Sequence, residues 1–567
     1  MQTRFLSSSR RQLHFAAKVF GFLLLVIPFA VKVANCATGT PPFQVAQWTI
    51  FETAFTSTAK YGNAFQDVAV KVEFTSPSGR TITVPAFWDA GDTWRVRFSP
   101  EETGKWSYRV TASNPEDNEL NHQDGSFTCV PYTGKNPLYV HGAIRVSAKK
   151  TYLEQADGTP FFWLSDTSWN GALKADAKSW ETYLNDRGAK KFTVVQFVMT
   201  QWIAAAANGD ARLAYQGREK IVIDPVFFQW LDDRFKALND HGMVAAPVLI
   251  WDAPWSDFSG ALNPGNSLPD DQVTRLIEYI VARYGAFQDV WILAGDGDYR
   301  GAEAERWRKI GRAVFGEHSV RPVTIHPTGH RWLADELVKE LWLDILGYQS
   351  GHGDGPDDFR WICYGPPATS WKMEPIRPII NLEPNYEGHV SYYSHKPFDA
   401  HAVRRAVYWS LLVSPTAGVT YGGHGVWSWE TRPAQPMNHP GTGIARPWFE
   451  AIHLPGSMDM RNMMNFFLSL PWWTLRPAPS LLEEQPGDKD PSQFVAAAKP
   501  EAGDWAVVYM PVGGQVKVRL GELTQANTVR WFNPRSGQWA GSASISPATA
   551  SITSPDSNDW VAWIGKK

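Results

Sequence analysis

Two acidic residues, Asp296 in WILAGDGDYR and Glu383 in RPIINLEPNYEG, each follow a short apolar run of strand character. Cleaving a glycosidic bond takes one carboxylic acid that protonates the leaving oxygen and one ionised carboxylate on the opposite face of the sugar. If both runs belong to one parallel barrel, about three βα units separate them and the two side chains face each other across its mouth. Asp298 and Glu387 stand close behind and compete for the same roles. Asp296 could instead cap a helix or bind a turn amide after Gly295. Glu383 has less local work available, because Pro384 removes the next amide donor.

Other strand ends carry further polar and aromatic groups: Asp166 in WLSDTSW, Gln196 and Gln201, Trp251 and Asp252, His326, Gln349 and His352, then His424 with Trp427. Asp166, Gln196, His326, Gln349, His352, Glu387 and His424 are expected to hold substrate hydroxyls, with Trp251 and Trp427 as stacking walls. His330, His389 and His395 add to the imidazoles and raise a metal hydrolase as an alternative, but no HExxH occurs and the histidines sit in separate loops. No GxSxG elbow follows a strand, and GHGDG and YGGHG lack the Lys and Ser/Thr of a phosphate loop. The expectation is no metal and no cofactor.

Eight runs can position these groups: FFWLSD, FTVVQFV, MVAAPVLIW, VWILAGD, RPVTIHP, LDILGYQS, RPIINLE and GVTYGGHG. Between them lie amphipathic segments; Val273, Leu276, Ile277, Ile280, Val281 and Tyr284 share one helical face, and Trp180, Tyr183, Leu184 and Arg187 another. Eight strand–helix alternations predict an α/β architecture, a (β/α)8 barrel over residues 138–474. Residues 42–133 and 478–566 instead show short period-two runs broken by turn residues, predicting a β-sandwich on each side.

The chain has 567 residues, a formal net charge of −3 and 44% hydrophobic residues, which excludes bulk electrostatic capture of nucleic acid or anionic membrane and suits a neutral substrate. Its 28 Trp serve mostly in packing, with some free for sugar faces. Arg4, Arg10, Arg11 and Lys18, an apolar stretch from Phe20 to Val31 and small residues near Ala34 order themselves as an export signal or anchor over 1–37. Only Cys36, Cys129 and Cys363 occur, so no disulfide framework exists and the cores must carry the fold. An exported monomer acting on poly- or oligosaccharide is expected.

The motifs FFWLSDTSWN, YLNDRGAKKFTVVQ, WILAGDGDYR, TIHPTG, LDILGYQSGH, PIINLEPNYEG and VRRAVYWSLLVSPTAGVTYGGHGVW together resemble the apiosidase-like catalytic family (DUF4038, related to glycoside hydrolase family 140), from about Gly142 to Trp473. GDTWRVRFSPEETGKWSY resembles the DUF5060 sandwich, and AVVYMPVGG with WFNPRSGQW resembles a module called collagen-binding. The resemblance implies a retaining, exo-acting hydrolase of plant-type polysaccharide, with apiose on galacturonate as the characterised bond. It assigns the acid/base role to Asp296 and the nucleophile role to Glu383. Ala294, Asn381-Leu382 and Ser165 depart from the family's glycines, at what are expected to be pocket-wall positions, and leave the sugar open. Two rivals follow: a sugar receptor without turnover, and a matrix peptidase motivated only by the C-terminal module.

Overall fold

The computed structural model describes residues 43–205, 213–253, 262–546 and 550–566; the export-signal expectation lies outside them. The centre is an eight-stranded parallel sheet. Its strands are β1 (Trp163–Thr167), β2 (Val194–Val198), β3 (Val244–Trp251), β4 (Trp291–Gly297), β5 (Val323–Pro327), β6 (Leu346–Gln349), β7 (Ile379–Glu383) and β8 (Gly418–Gly422). Ladders run from β5 through β4, β3, β2, β1, β8 and β7 to β6. The seam between β5 and β6 is closed by single bonds: Asp344 N and Ile345 N donate to Val323 O, and the Thr324 hydroxyl donates to Ile345 O at 2.9 Å. The expected (β/α)8 barrel is present.

Helices follow the strands: α1 (Ala177–Ala189), α2 (Pro225–Asp240), α3 (Asp270–Tyr284), α4 (Ala302–Phe315), α5 (Ala334–Leu337), α6 (Pro356–Tyr364), α7 (Ala400–Leu412) and α8 (Pro455–Leu468). Asp176, Asp224 and Asp399 start α1, α2 and α7 by accepting a backbone N–H of the first turn. Strand pleating splits the apolar residues in two. Trp163, Val194, Val198, Val244, Ala246, Val248, Ile292, Ile380 and Leu382 fill the barrel, whereas Leu164, Val195, Phe197, Leu249, Leu293, Ile325 and Tyr348 face the helices.

The N-terminal unit pairs a five-stranded with a three-stranded sheet over a core that includes Val72, Phe74, Trp94, Trp106 and Phe127. The C-terminal unit has a six-stranded sheet and a two-stranded ribbon. Arg97 of the N-terminal unit makes a paired contact with Asp232 of α2 at 3.0 and 2.7 Å, and Arg283 of α3 shares that carboxylate. On the other side Arg404 of α7 grips Asp559 through two bonds of 2.9 Å and Asp459 of α8 at 2.7 Å, while Tyr408 stacks on Tyr509 at 4.6 Å. Cys129 and Cys363 are buried free thiols. No helix among the described residues is long and apolar enough to cross a membrane.

Candidate active site

A cavity of about 730 Å³ opens at the C-terminal mouth of the barrel and is lined by both Asp296 and Glu383. Neither reaches it by simple alternation. In β4 the register against β5 slips twice, between Ile292 and Gly295 and between Gly295 and Gly297, and Asp296 sits inside the second slip with φ +63°. In β7 one extra residue, Leu382, separates the partner of Tyr348 from the partner of Gln349, which turns Glu383 toward the mouth. Such bulges re-aim side chains beside active sites.

Glu383 is 7% exposed and its two oxygens are unequally held. Oε1 accepts from Gln349 Nε2 at 2.9 Å and His352 Nε2 at 2.8 Å. Oε2 has His326 Nε2 at 3.1 Å, but out of line for a full hydrogen bond. Burial pushes this carboxyl up, yet the close contact of His326 and the hydrogen bond of His352, with the charge each imidazole brings, outweigh it and hold the group far below the usual glutamate range. Tyr392 stands 57% exposed at the rim of the same cavity.

The competitors are occupied elsewhere. Asp298 is bound by Arg300 and Arg331, which hold its pKa down. Glu387 accepts from the Tyr421 hydroxyl at 2.7 Å and Gly456 N at 2.8 Å, on the helix side of the barrel.

The structure brings Trp251, Gln349, His352 and Trp427 to the cavity with the two acids, and places His326 directly behind Glu383. Asp166, Gln196, Glu387 and His424 are not among its lining residues. Asp166 has the outward parity of Leu164 and is fully buried against Arg187 Nε at 2.7 Å and the Tyr183 hydroxyl at 2.6 Å. Gln196 points into the barrel one layer down, donating to Leu382 O and accepting from Thr420. His424 accepts from the Trp427 indole at 3.1 Å and faces Gly443 O; burial lowers its pKa to about 4. The altered family positions also miss the lining: Ala294 packs among the helices, Asn381 bonds Ser350 and Ser410, and Ser165 is enclosed in β1.

Sequence reading did not single out several walls of the cavity. Trp169 meets His326 edge-on at 5.4 Å, Trp202 packs on Trp251 at 4.4 Å, and His439 meets Trp427 at 5.1 Å. Tyr386, Tyr392 and Asn438 complete it, together with His389, which the sequence offered only among the scattered imidazoles. The loop after β6 is pinned over the site by Asn385, whose amide donates to Gly351 O and Gly353 O, and by Tyr392 N on His352 O. Tyr386 and Asn385 lie within the quoted EPNYEG motif, so adjacency to Glu383 was the available signal. Among the described residues no cluster of His, Cys, Asp and Glu has metal-binding geometry.

Comparison with known proteins agrees with this arrangement. Residues 44–113 match the DUF5060 family profile, and residues 477–564 match one described for a collagen-binding domain of a collagenase. No curated protein matches. Among solved structures, one named a glycoside hydrolase is 22% identical, with TM-score 0.65 over 77% of this chain and 99% of its own. A glycoside hydrolase family 5 protein from Bacteroides vulgatus ATCC 8482 is 21% identical, with TM-score 0.64 over 77% and 95%. A third, from the same organism and named only provisionally as a glycoside hydrolase, is 19% identical with TM-score 0.69 over 93% and 100%. At these identities the likeness establishes the fold. Residues 147–474 match the profile of the apiosidase-like catalytic domain, so the chain belongs to the apiosidase-like family and is by that membership a glycosidase.

Proposed function

We propose that the protein is an exported, retaining, exo-acting hydrolase of side chains on plant-type polysaccharide, with Glu383 as nucleophile and Asp296 as acid/base. The observation that carries this is the pairing of a braced, ionised Glu383 with Asp296 on one aromatic-walled cavity. Oε2, the oxygen without an in-line partner, attacks the anomeric carbon while Asp296 gives its proton to the departing oxygen. Asp296, now ionised, takes a proton from water; the water oxygen bonds the anomeric carbon and the Glu383 ester breaks. His326 and His352 act on the nucleophile in this scheme rather than on sugar hydroxyls.

The test is turnover of a panel of 4-nitrophenyl glycosides. Asp296→Ala and Glu383→Ala should each lower kcat/KM by about 10³-fold or more, within the span expected for groups acting in the transition state. Azide should restore Glu383→Ala with a glycosyl azide of inverted configuration, and NMR of the first wild-type product should show the anomer retained. Tight sugar binding with no wild-type turnover would instead support the receptor reading. Export is tested separately, by N-terminal sequencing of the protein recovered from outside the cytoplasm.

A further inference from the structure

His352, which donates to Glu383 Oε1, stands between two glycines in the loop after β6, Ser350-Gly351-His352-Gly353-Asp354-Gly355. Glycine leaves a backbone many conformations, and Gly351 takes a left-handed one at φ +74°. A loop of this composition does not hold an imidazole in place by its own sterics. The restraint has to come from outside it.

The loop after β7 supplies it. Tyr392 N donates to His352 O at 2.9 Å, and on both sides of Tyr392 the chain is anchored to the Asp354 carboxylate. The Ser391 hydroxyl donates to Oδ1, Ser394 N donates to Oδ1 at 3.0 Å, and the Ser394 hydroxyl donates to Oδ2 at 2.6 Å. Ser391 Oγ also accepts from Tyr393 N at 3.0 Å, so the turn is wrapped around one carboxylate. Burial raises the Asp354 carboxyl, but the Ser391 and Ser394 bonds outweigh it and hold it below the usual aspartate range. The contacts form a closed circuit: from His352 along the chain to Asp354, across to Ser391, on to Tyr392, and back to His352 O.

We propose that Asp354 is a positioning residue for the reaction, whose grip on Ser391 and Ser394 locks the two loops together and keeps the His352 imidazole on Glu383. The inference rests on the reading of Glu383 as nucleophile. Asp354 is not among the cavity-lining residues. His352 also stacks on His389 at 4.3 Å, but a stack fixes the plane of a ring and not its reach toward Glu383. Asn385 holds Gly351 O and Gly353 O through a single amide, and a second anchor is needed to stop rotation about it. A supporting group misplaced by a fraction of an ångström weakens the group it supports.

The test is a double-mutant cycle of Asp354→Ala and His352→Phe, read as kcat/KM on the 4-nitrophenyl glycoside that wild type hydrolyses fastest, with folding checked by near-UV circular dichroism. Asp354→Ala should lose about tenfold or more with His352 in place and less than about twofold in the His352→Phe background, because a residue that works through another has nothing to do without it. Asp354→Asn keeps an acceptor on the two serines and should stay within about threefold of wild type. Losses that multiply would overturn the inference, leaving Asp354 to act through the Tyr392 and Tyr393 walls or through stability alone. Should Asp354→Ala fold poorly, Ser394→Ala, which opens only the Oδ2 limb, takes its place in the cycle. It should lose about threefold or more, again only with His352 present, and no loss or a persistent one overturns the inference. Turnover surviving in Glu383→Ala, or absent in wild type, would bring down the nucleophile assignment and this inference with it, whereas multiplying losses in an enzyme that needs Glu383 bring down the inference alone.

Discussion

Burial pushes the Asp252 carboxyl up to about 6, with the charge of Arg306 and the Trp307 indole bond at 2.7 Å pulling the other way. An acid whose folded pKa is raised favours folding when protonated, so stability is lost as pH climbs from about 4 through 6 and stays lost above. Asp252→Asn keeps an acceptor for Trp307 and removes that cost. Its unfolding free energy at pH 8 should exceed wild type by about 1–3 kcal/mol, with the gain gone at pH 4, read by denaturant titration at the two pH values. Glu383 runs oppositely: its lowered pKa contributes stability above the ordinary glutamate value, lost as pH falls below it. A Glu383→Gln variant should therefore be less stable than wild type at pH 7, by a margin that begins to shrink only once the pH falls below the ordinary glutamate range in the same titration. At this scale the two catalytic candidates were legible from the apolar runs before them. Asp166 was assigned to the substrate instead of to Arg187, although the outward parity it shares with Leu164 was readable. Trp202, Asn438 and His439 were not, because they reach the cavity from loops far apart in sequence and spacing does not encode which loops meet.

At the scale of the element, β4 does unusual work. Ala294 packs outward directly after outward Leu293, and Asp296 then takes a left-handed backbone. Alternation read from the sequence correctly found all eight strands and the barrel, yet it could not locate the slips in β4 and β7, which depend on how neighbouring strands pair. Gly295 sits at the crossing of these features: a Cβ there would lie 2.7 Å from Trp251 Cε3 and 2.8 Å from Val248 Cγ1. Gly295→Ala should push Trp251 into the cavity. The expected outcome is a loss of about 1–3 kcal/mol in stability and at least tenfold in kcat/KM, checked by thermal denaturation and by kinetics on the same aryl glycoside.

Across the whole molecule, the C-terminal unit is continuous with the barrel. Phe494, Val507, Tyr509, Phe532 and Val561 belong to the same apolar cluster as Trp409, Phe466 and Phe467. Arg404 stands buried between Asp459 and Asp559. Removing it leaves two buried carboxylates facing each other, so Arg404→Met should cost about 3–5 kcal/mol, seen as a lower denaturant midpoint, with wild-type KM retained by the folded fraction. The three-unit order was legible from the change of apolar period at each boundary. The fusion of two of those units into one core was not, since each segment's pattern reports only that a face is buried and not against what.

That fusion bears on how the chain can be cut. A tethered accessory module can be trimmed from an enzyme or traded for another without disturbing the catalytic part. Here excision near residue 475 would strip the outer faces of α7 and α8 and bare Trp409, Phe466 and Phe467 to water. Anyone shortening this protein for crystallography or industry would have to redesign that helical flank first, so the portable piece is the barrel together with its C-terminal partner.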